Sequence, residues 1–259
     1  MVVVANPLTS ETIMRLAVLM RHRRNRSPLT ALFVRTNDDP TTINMGRNAL
    51  TAAAALATAS DVEVKEVERF DLNVVRGIIS VAHENRISDI ILGMHRKSNL
   101  VDTFYGTLIE QLLRSSNRMV FLSRCFIPVD TLNRLVVVAG EKVEYETGFQ
   151  AWVERMGNLA SQLACRVVFL CNKSTSRFIR NILVNDQYAI RYEFVEIASF
   201  DDFIVESASI DADDLLVVVN ARRGSISWSS FLEAMPSYLQ KNFSSQNLLI
   251  IYPEQFNNQ

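Results

Sequence analysis

The sequence contains few cysteines and histidines, and neither residue type is arranged as a binding site requires. The three cysteines are Cys125, Cys165 and Cys171. They form neither an even disulfide framework nor a metal-ligand pattern, so we expect small apolar residues in a reduced compartment. The three histidines are His22, His83 and His95. None has a cysteine or a pair of carboxylates at ligand spacing, and the sequence therefore predicts no metal site.

Long hydrophobic runs and a strong net charge are missing as well. No apolar run approaches the roughly 20 residues that span a bilayer. The opening MVVVANP turns polar too early for a signal peptide. The formal net charge is −1, which gives no general attraction to nucleic acid or to an anionic membrane. We therefore expect a soluble cytoplasmic chain that has no nucleic-acid partner.

No catalytic arrangement can be recognised. Four serines, Ser225, Ser227, Ser229 and Ser230, surround Trp228, but no base accompanies them as nucleophilic catalysis requires. A weak nucleotide hydrolase is a further hypothesis, yet nothing in the sequence would orient the attacking water. We expect that the chain is not an enzyme.

The sequence does contain an internal repeat. Val2-Val3-Val4-Ala5 returns as Val136-Val137-Val138-Ala139, SDIILGMHR resembles DDLLVVVNARR, and MVFLSR resembles LLIIYP. Three matches in the same order indicate a duplication. The break lies in CFIPVDTLN, residues 125–133, where proline and polar residues interrupt two apolar runs. We predict two domains, at 1–125 and 133–259.

Apolar runs alternate with helical patterns in both halves. Strands are predicted at 2–5, 29–35, 62–68, 88–93, 119–123, 134–139, 166–171, 190–197, 214–220 and 247–252. Ile13, Leu16, Ala17 and Met20 share one helix face. Leu72, Val75 and Ile79 are predicted to begin another such face. Continuous β-branched runs are typical of parallel strands that helices cover on both sides. The pattern predicts an α/β fold of two tandem doubly wound, Rossmann-like domains with five-stranded parallel sheets.

A candidate ligand site follows the fourth predicted strand. Ligands of doubly wound sheets bind at the carboxyl ends of strands, and Asn6 and Gly93 follow two such ends. Gly93 lets a ligand approach the backbone. Gly106 and Thr107 open a predicted helix, whose free N–H groups favour anions. The alternative is an ordinary strand-to-helix connection in which Thr107 lies near the N-cap.

These residues make the chain resemble a tandem pair of universal stress protein domains. The family's phosphate-binding pattern is glycine, two residues, glycine, nine residues, glycine, then serine or threonine. Gly93, Gly106 and Thr107 fit it, with His95 between the first two glycine positions, whereas Arg96 replaces the second glycine. Arg96 is able either to pair with phosphate or to fill the space that glycine leaves. Asn6 stands where the family has an acidic residue.

The second half departs further from the family pattern. Asn220, Arg223 and Glu233 occupy its three glycine positions, so the resemblance implies a degenerate second domain. For the first half it implies either binding of an adenine nucleotide, ATP, ADP or AMP, or a vestigial site. Because fifth strands pair between domains in this family, it also implies that 119–123 and 247–252 pair antiparallel. The chain would then be an intramolecular pseudo-dimer, and a homodimer of chains is a further option.

A narrower resemblance lies in the first 35 residues. Asn-Pro after the first strand, a leucine-rich helix and Ser-Pro-Leu before the second strand are similar to cytoplasmic tails of bacterial monovalent cation/proton antiporters. This resemblance implies a regulatory module on the cytoplasmic side of the inner membrane, with the antiporter membrane domain as its partner in cis. The alternative is a free-standing tandem universal stress protein that binds ATP or AMP.

Overall fold

The computed structural model of the protein describes residues 1–22, 25–94 and 106–256. Ten strands lie in this part of the chain: β1 (Val2–Val3), β2 (Leu29–Arg35), β3 (Val64–Phe70), β4 (Asp89–Gly93), β5 (Met119–Arg124), β6 (Arg134–Ala139), β7 (Arg166–Cys171), β8 (Tyr192–Glu196), β9 (Asp214–Val219) and β10 (Asn247–Tyr252). All of them overlap the predicted strands, because continuous apolar runs are a strong local signal.

The helices of the described part alternate with these strands. They are α1 (Pro7–Met20), α2 (Pro40–Ala59), α3 (Val74–Glu84), α4 (Thr107–Ser115), α5 (Phe149–Leu163), α6 (Lys173–Asn185), α7 (Phe200–Ser207) and α8 (Ser230–Asn242). Short 3₁₀ turns occupy Val129–Thr131 and Val143–Tyr145. The first of these turns lies in the interrupted stretch 125–133, between β5 and β6.

All ten strands belong to one sheet, in the order β3-β2-β1-β4-β5-β10-β9-β6-β7-β8. Within each half the strands run parallel, and the order of β1 to β5 is repeated by β6 to β10. The predicted α/β fold with a mostly parallel, helix-covered sheet is confirmed. The halves do not, however, form two separate five-stranded sheets, since hydrogen bonds continue from one half to the other.

The junction between the halves is the antiparallel pair β5 and β10. Leu122 pairs with Ile250 and Phe121 with Ile251, so the predicted antiparallel pairing of 119–123 and 247–252 is confirmed. Every residue of both strands is buried. Two apolar strands that would each end a five-stranded sheet protect one another's edge here.

Apolar side chains form a core on each face of the sheet. Helices α1, α2, α5 and α6 cover one face, with Leu16 and Trp152 among its fully buried residues. Helices α3, α4, α7 and α8 cover the other face, with Ile78 and Phe203 at its centre. This doubly wound arrangement explains why residues 135–138 of β6 and 215–219 of β9 are all valine or leucine.

The two halves also contact each other beyond the sheet. Helix α1 packs against α5, where Asn158 Nδ2 donates to the carbonyl of Met20 at 3.2 Å and Gln162 Nε2 to that of Leu19 at 2.7 Å. The last carbonyls of a helix have no partner within it. Side chains of the second half therefore donate hydrogen bonds to the last carbonyl groups of α1. Over the described residues, no helix combines the length and the apolar character needed to cross a membrane.

Candidate functional site

The first-half edge is the carboxyl end of β1 and β4, where the sequence places its ligand site. Val3 pairs with Leu92, so Asn6 and Gly93 leave the sheet on the same side. Asn6 is half-buried and immediately precedes α1. Its backbone carbonyl accepts hydrogen bonds from the hydroxyls of Thr9, at 3.2 Å, and Ser10, at 2.7 Å. The structure thus brings Asn6 and Gly93 to one edge, as predicted.

The space beside Gly93 is small. A Cβ atom at this position would lie 3.4 Å from Ile13 Cγ2 and 3.7 Å from Thr9, which are ordinary van der Waals distances. Gly93, Thr9 and Ile13 line a cavity of about 10 Å³ with the buried side chains of β5 and residue 125. Such a volume suits about one water molecule. This cavity is therefore too small for a nucleotide.

Gly106 and Thr107 begin α4, as predicted. Gly106 is the N-cap residue, with φ −56° and ψ 139°, and as a glycine it contributes no side-chain cap. Glu110 lies in the first turn, where a carboxylate is favourable, and it pairs with Arg114 at 2.5 Å. His95 and Arg96, the remaining predicted site residues, lie outside the described residues.

In the second half, residues at the positions of the family's glycines contact neighbouring side chains. Asn220 is buried, donates to the hydroxyl of Tyr252 at 3.2 Å, and accepts from the backbone N–H of Ala221 at 2.8 Å. The Arg223 guanidinium lies over the Trp228 ring at 5.8 Å. Glu233 is in the first turn of α8. Asn220 and Arg223 therefore occupy space that the glycine pattern would leave open.

A second-half edge cavity lies at the carboxyl ends of β6, β7 and β8. Its volume is about 340 Å³, and its lining includes Gly140, Asn172, Ser199, Ser229 and Ser230. Three of these residues are N-caps: Asn172, Ser199 and Ser229 accept from backbone N–H groups of α6, α7 and α8. The family's glycine pattern does not locate this cavity, because it does not detect side-chain caps. A polar residue after each strand was the available signal.

A larger cavity, here the junction cavity, lies where the two halves meet beyond the carboxyl end of β10. It has a volume of about 720 Å³. Its walls are the carboxyl-terminal half of α4, residues 145–147, the loop 220–226, and the chain from 252 to 256. Two buried charged residues, Glu146 and Arg222, lie in these walls. Neither residue could be predicted from the sequence, since their hydrogen-bond partners lie 81 to 109 residues away along the chain.

The Glu146 carboxylate is fully engaged with neutral donors. It accepts from the backbone N–H and the hydroxyl of Ser227, at 3.0 and 2.5 Å, and from Gln255 Nε2 at 2.6 Å. Burial alone would raise the pKa of Glu146, but the hydrogen bonds from Ser227 and Gln255 outweigh it and lower the pKa. Glu146 is therefore an anion that fixes the loop and the chain after β10.

Arg222 caps the end of α4 from the other half. Its Nη1 donates to the carbonyl of Leu113 at 2.7 Å and to that of Ser116, and Nη2 donates to that of Arg118 at 2.5 Å. Its Nε is buried without a hydrogen-bond partner. Burial lowers the pKa of Arg222 to about 10, against the opposing effects of Tyr252, Glu146 and Glu254. In the described part of the chain, no carboxylate lies within ion-pair distance of it.

The polar groups at these sites are hydrogen-bonding groups. Within residues 1–22, 25–94 and 106–256, no group of three or more His, Cys, Asp and Glu side chains could hold a metal ion. What the edges and the junction cavity offer instead is backbone N–H groups, hydroxyls and arginine.

Comparison with known proteins gives a family match for the first half of the chain. The model of the universal stress protein family matches residues 1–124. Comparison with the curated proteins finds no match.

Solved structures resemble the chain over nearly its whole length. A universal stress protein from Archaeoglobus fulgidus is 13% identical, with a TM-score of 0.57, over 100% of this chain and 97% of that one. The cytoplasmic domain of a prokaryotic cation chloride cotransporter is 9% identical, with a TM-score of 0.63, over 96% and 93%. Identities this low show the fold alone. Residues 1–124 thus match the universal stress protein family, and the whole chain shares its fold with such a protein and with a transporter's cytoplasmic domain.

Proposed function

We propose that this chain is the cytoplasmic regulatory module of a monovalent cation (Na⁺ or K⁺)/proton antiporter. The observation that carries the proposal is the likeness in fold to a cytoplasmic domain of a cation chloride cotransporter, over 96% of this chain and 93% of that one. The Asn-Pro stretch at the start of the chain points to the antiporter class in particular. In this proposal the membrane domain of the antiporter is the partner in cis, and the module itself catalyses nothing.

An adenine nucleotide, ATP, ADP or AMP, is the proposed effector, bound weakly at the first-half edge. Support comes from the common edge of Asn6 and Gly93 and from the start of α4 at Gly106 and Thr107, where the N-cap residue has no side chain. His95 and Arg96 are the candidate ligands from the intervening segment. Because the described residues enclose only about 10 Å³ beside Gly93, the nucleotide in this proposal lies on the edge rather than in that cavity.

Sequencing the gene upstream of residue 1 tests the antiporter assignment. The proposal predicts an open reading frame that encodes a series of hydrophobic helices and continues into this chain. A stop codon directly upstream, with no membrane domain in the same frame, would contradict it.

The second candidate is a free-standing tandem universal stress protein that binds ATP or AMP. The family match over residues 1–124 and the likeness to the Archaeoglobus fulgidus protein favour it. Calorimetric titration of the purified chain with ATP and AMP tests this candidate. Saturable heat is expected if it is right, whereas no heat at millimolar nucleotide would remove it.

A further inference from the structure

The junction cavity has the size and position of a small-molecule site. Its volume of about 720 Å³ lies within the range of typical ligand pockets, roughly 300–1,000 Å³. It is formed by segments of both halves, and ligand pockets occur preferentially at such interfaces. A ligand there would contact the end of α4 and the loop after β9 at the same time.

The two buried charged side chains in its walls, Glu146 and Arg222, differ in how completely their polar atoms are hydrogen-bonded. Glu146 has donors on both of its oxygens. Arg222 is about nine-tenths buried, contacts only neutral carbonyl groups, and keeps one buried N–H donor, on Nε, without an acceptor. Glu146 and Glu254 act on this cation only from beyond ion-pair distance in the described part of the chain, and a buried cation without a direct counter-anion is costly. The group that would best complete the site is therefore an anionic oxygen.

The remaining walls are apolar and aromatic. Trp228 lines the cavity under the Arg223 guanidinium. Three further large side chains of the lining are unusually exposed: Tyr145 at 59%, Ile226 at 56% and Phe256 at 75%. Exposed apolar side chains that gather at one cavity are typical of a binding surface. Planar rings stack well on Trp and on arginine.

From this geometry we infer that the junction cavity binds a small organic anion, with a carboxylate or phosphate at Arg222 and a planar body against Trp228. This site is distinct from the first-half edge and goes beyond the proposed function. A bound anion would contact both halves of the chain, because both halves contribute to the walls of the junction cavity.

Trp228 fluorescence and calorimetry test the inference on the whole chain. The two probes are nicotinate, a planar carboxylate, and AMP, a planar phosphate. Nicotinamide and adenosine are the uncharged controls, and inorganic phosphate is the control without a ring. The inference predicts saturable quenching and heat with at least one of the two probes and not with the controls. Trp152 is fully buried, so the response is expected from Trp228.

Two variants locate the bound anion. Arg222→Gln removes a charge-assisted hydrogen bond and is expected to weaken binding by about tenfold or more. Because Arg222 also caps α4, this variant could lose its fold, which circular dichroism would reveal. Arg223 is exposed, and Arg223→Ala leaves the hydrogen bonds of Arg222 to the end of α4 intact. We expect this variant to weaken binding by about threefold or more. Arg177 is an exposed arginine on α6, away from the cavity. Arg177→Ala also removes one positive charge and should bind the anion as the parent protein does.

Gly106→Val separates this site from the nucleotide site of the proposed function. AMP binding that survives Gly106→Val but weakens in Arg223→Ala belongs to the junction cavity. The inference is overturned if neither nicotinate nor AMP binds at millimolar concentration. It is equally overturned if binding is indifferent to Arg223→Ala, or if the uncharged controls bind as well as the anions.

Discussion

The guanidinium of Arg124, at the end of β5, donates from Nη2 to the carbonyl of Phe243, just beyond α8, at 2.8 Å. Arg222 makes the corresponding contact in the opposite direction, to carbonyls at the end of α4. Each half thus provides a buried arginine that satisfies the end of a helix in the other half. Since helix ends leave carbonyls without partners, the two arginines couple the folding of the halves.

Replacing Arg124 tests this coupling. Arg124→Met keeps much of the side-chain volume but leaves the Phe243 carbonyl without its donor. We expect the free energy of unfolding to fall by about 1–3 kcal/mol, measured by urea denaturation. Arg177→Met on the exposed face of α6 is the control and should change it by less than about 0.5 kcal/mol. Equal effects of the two variants would show that the Arg124 contact does not stabilise the protein.

The antiparallel pair β5 and β10 should be indispensable for the fold. Ile250 is fully buried and pairs with Leu122. Ile250→Asp places a carboxylate in the middle of the sheet, and we expect a loss of about 4 kcal/mol or more. Val184→Asp, at a site on α6 that is 61% exposed, is the matched control. A cooperative transition with unchanged midpoint in Ile250→Asp would refute this role of the junction.

The buried thiols should make the protein less stable in alkali. Burial raises the pKa of Cys165 to about 11 and that of Cys171 to about 12. An unfolded thiol, with an ordinary pKa near 9, loses its proton first, so stability falls as pH rises from about 9 towards these values. Between pH 9 and 10 each thiol should remove about 1 kcal/mol from the free energy of unfolding.

Urea titrations at pH 7, 9 and 10 measure this dependence on the parent and on Cys171→Val. The variant removes one thiol and should show a correspondingly shallower decline above pH 9. The same slope in both proteins would mean that Cys171 titrates alike in the folded and unfolded states.

Gly106→Val tests the proposed nucleotide site at the first-half edge. The backbone of Gly106, with φ −56° and ψ 139°, is open to a β-branched residue, so the fold should be retained. The added side chain would cover the start of α4, and we expect heat of ATP and AMP binding at this edge to disappear. Glu233→Ala, at the corresponding position of the second half, should leave binding unchanged. An equal loss in both variants would contradict a site confined to the first half.

Local sequence patterns predicted much of the fold, because strands and amphipathic helices are encoded by neighbouring residues. Ile13, Leu16, Ala17 and Met20 are all buried on α1, as their spacing predicts. The prediction for the third helix, that Leu72, Val75 and Ile79 begin its apolar face, was partly wrong. Leu72 is 76% exposed and precedes the helix.

Capping explains the error at the third helix. The Asn73 side chain accepts from the N–H of Arg76 and starts α3 after Leu72. The buried face is consequently built on Val75, Ile78 and Val81. An asparagine before an apolar pattern is an N-cap signal that takes precedence over the spacing of apolar residues.

The candidate sites were harder to predict from the sequence than the fold. Asn6 and Gly93 could be placed at one edge, because parallel strands bring their carboxyl ends together. The junction cavity could not be found in this way. Arg222 meets the end of α4 more than 100 residues away, and this contact exists only because β5 and β10 pair.

Cation-dependent proton exchange tests the central claim most directly. Inverted membrane vesicles would contain either the full-length gene product or a form that ends just before residue 1, at matched protein levels. The regulatory proposal predicts that removing residues 1–259 changes Na⁺- or K⁺-driven exchange, or its response to adenine nucleotide, by about fivefold or more. Identical exchange by both forms, with and without nucleotide, would contradict it.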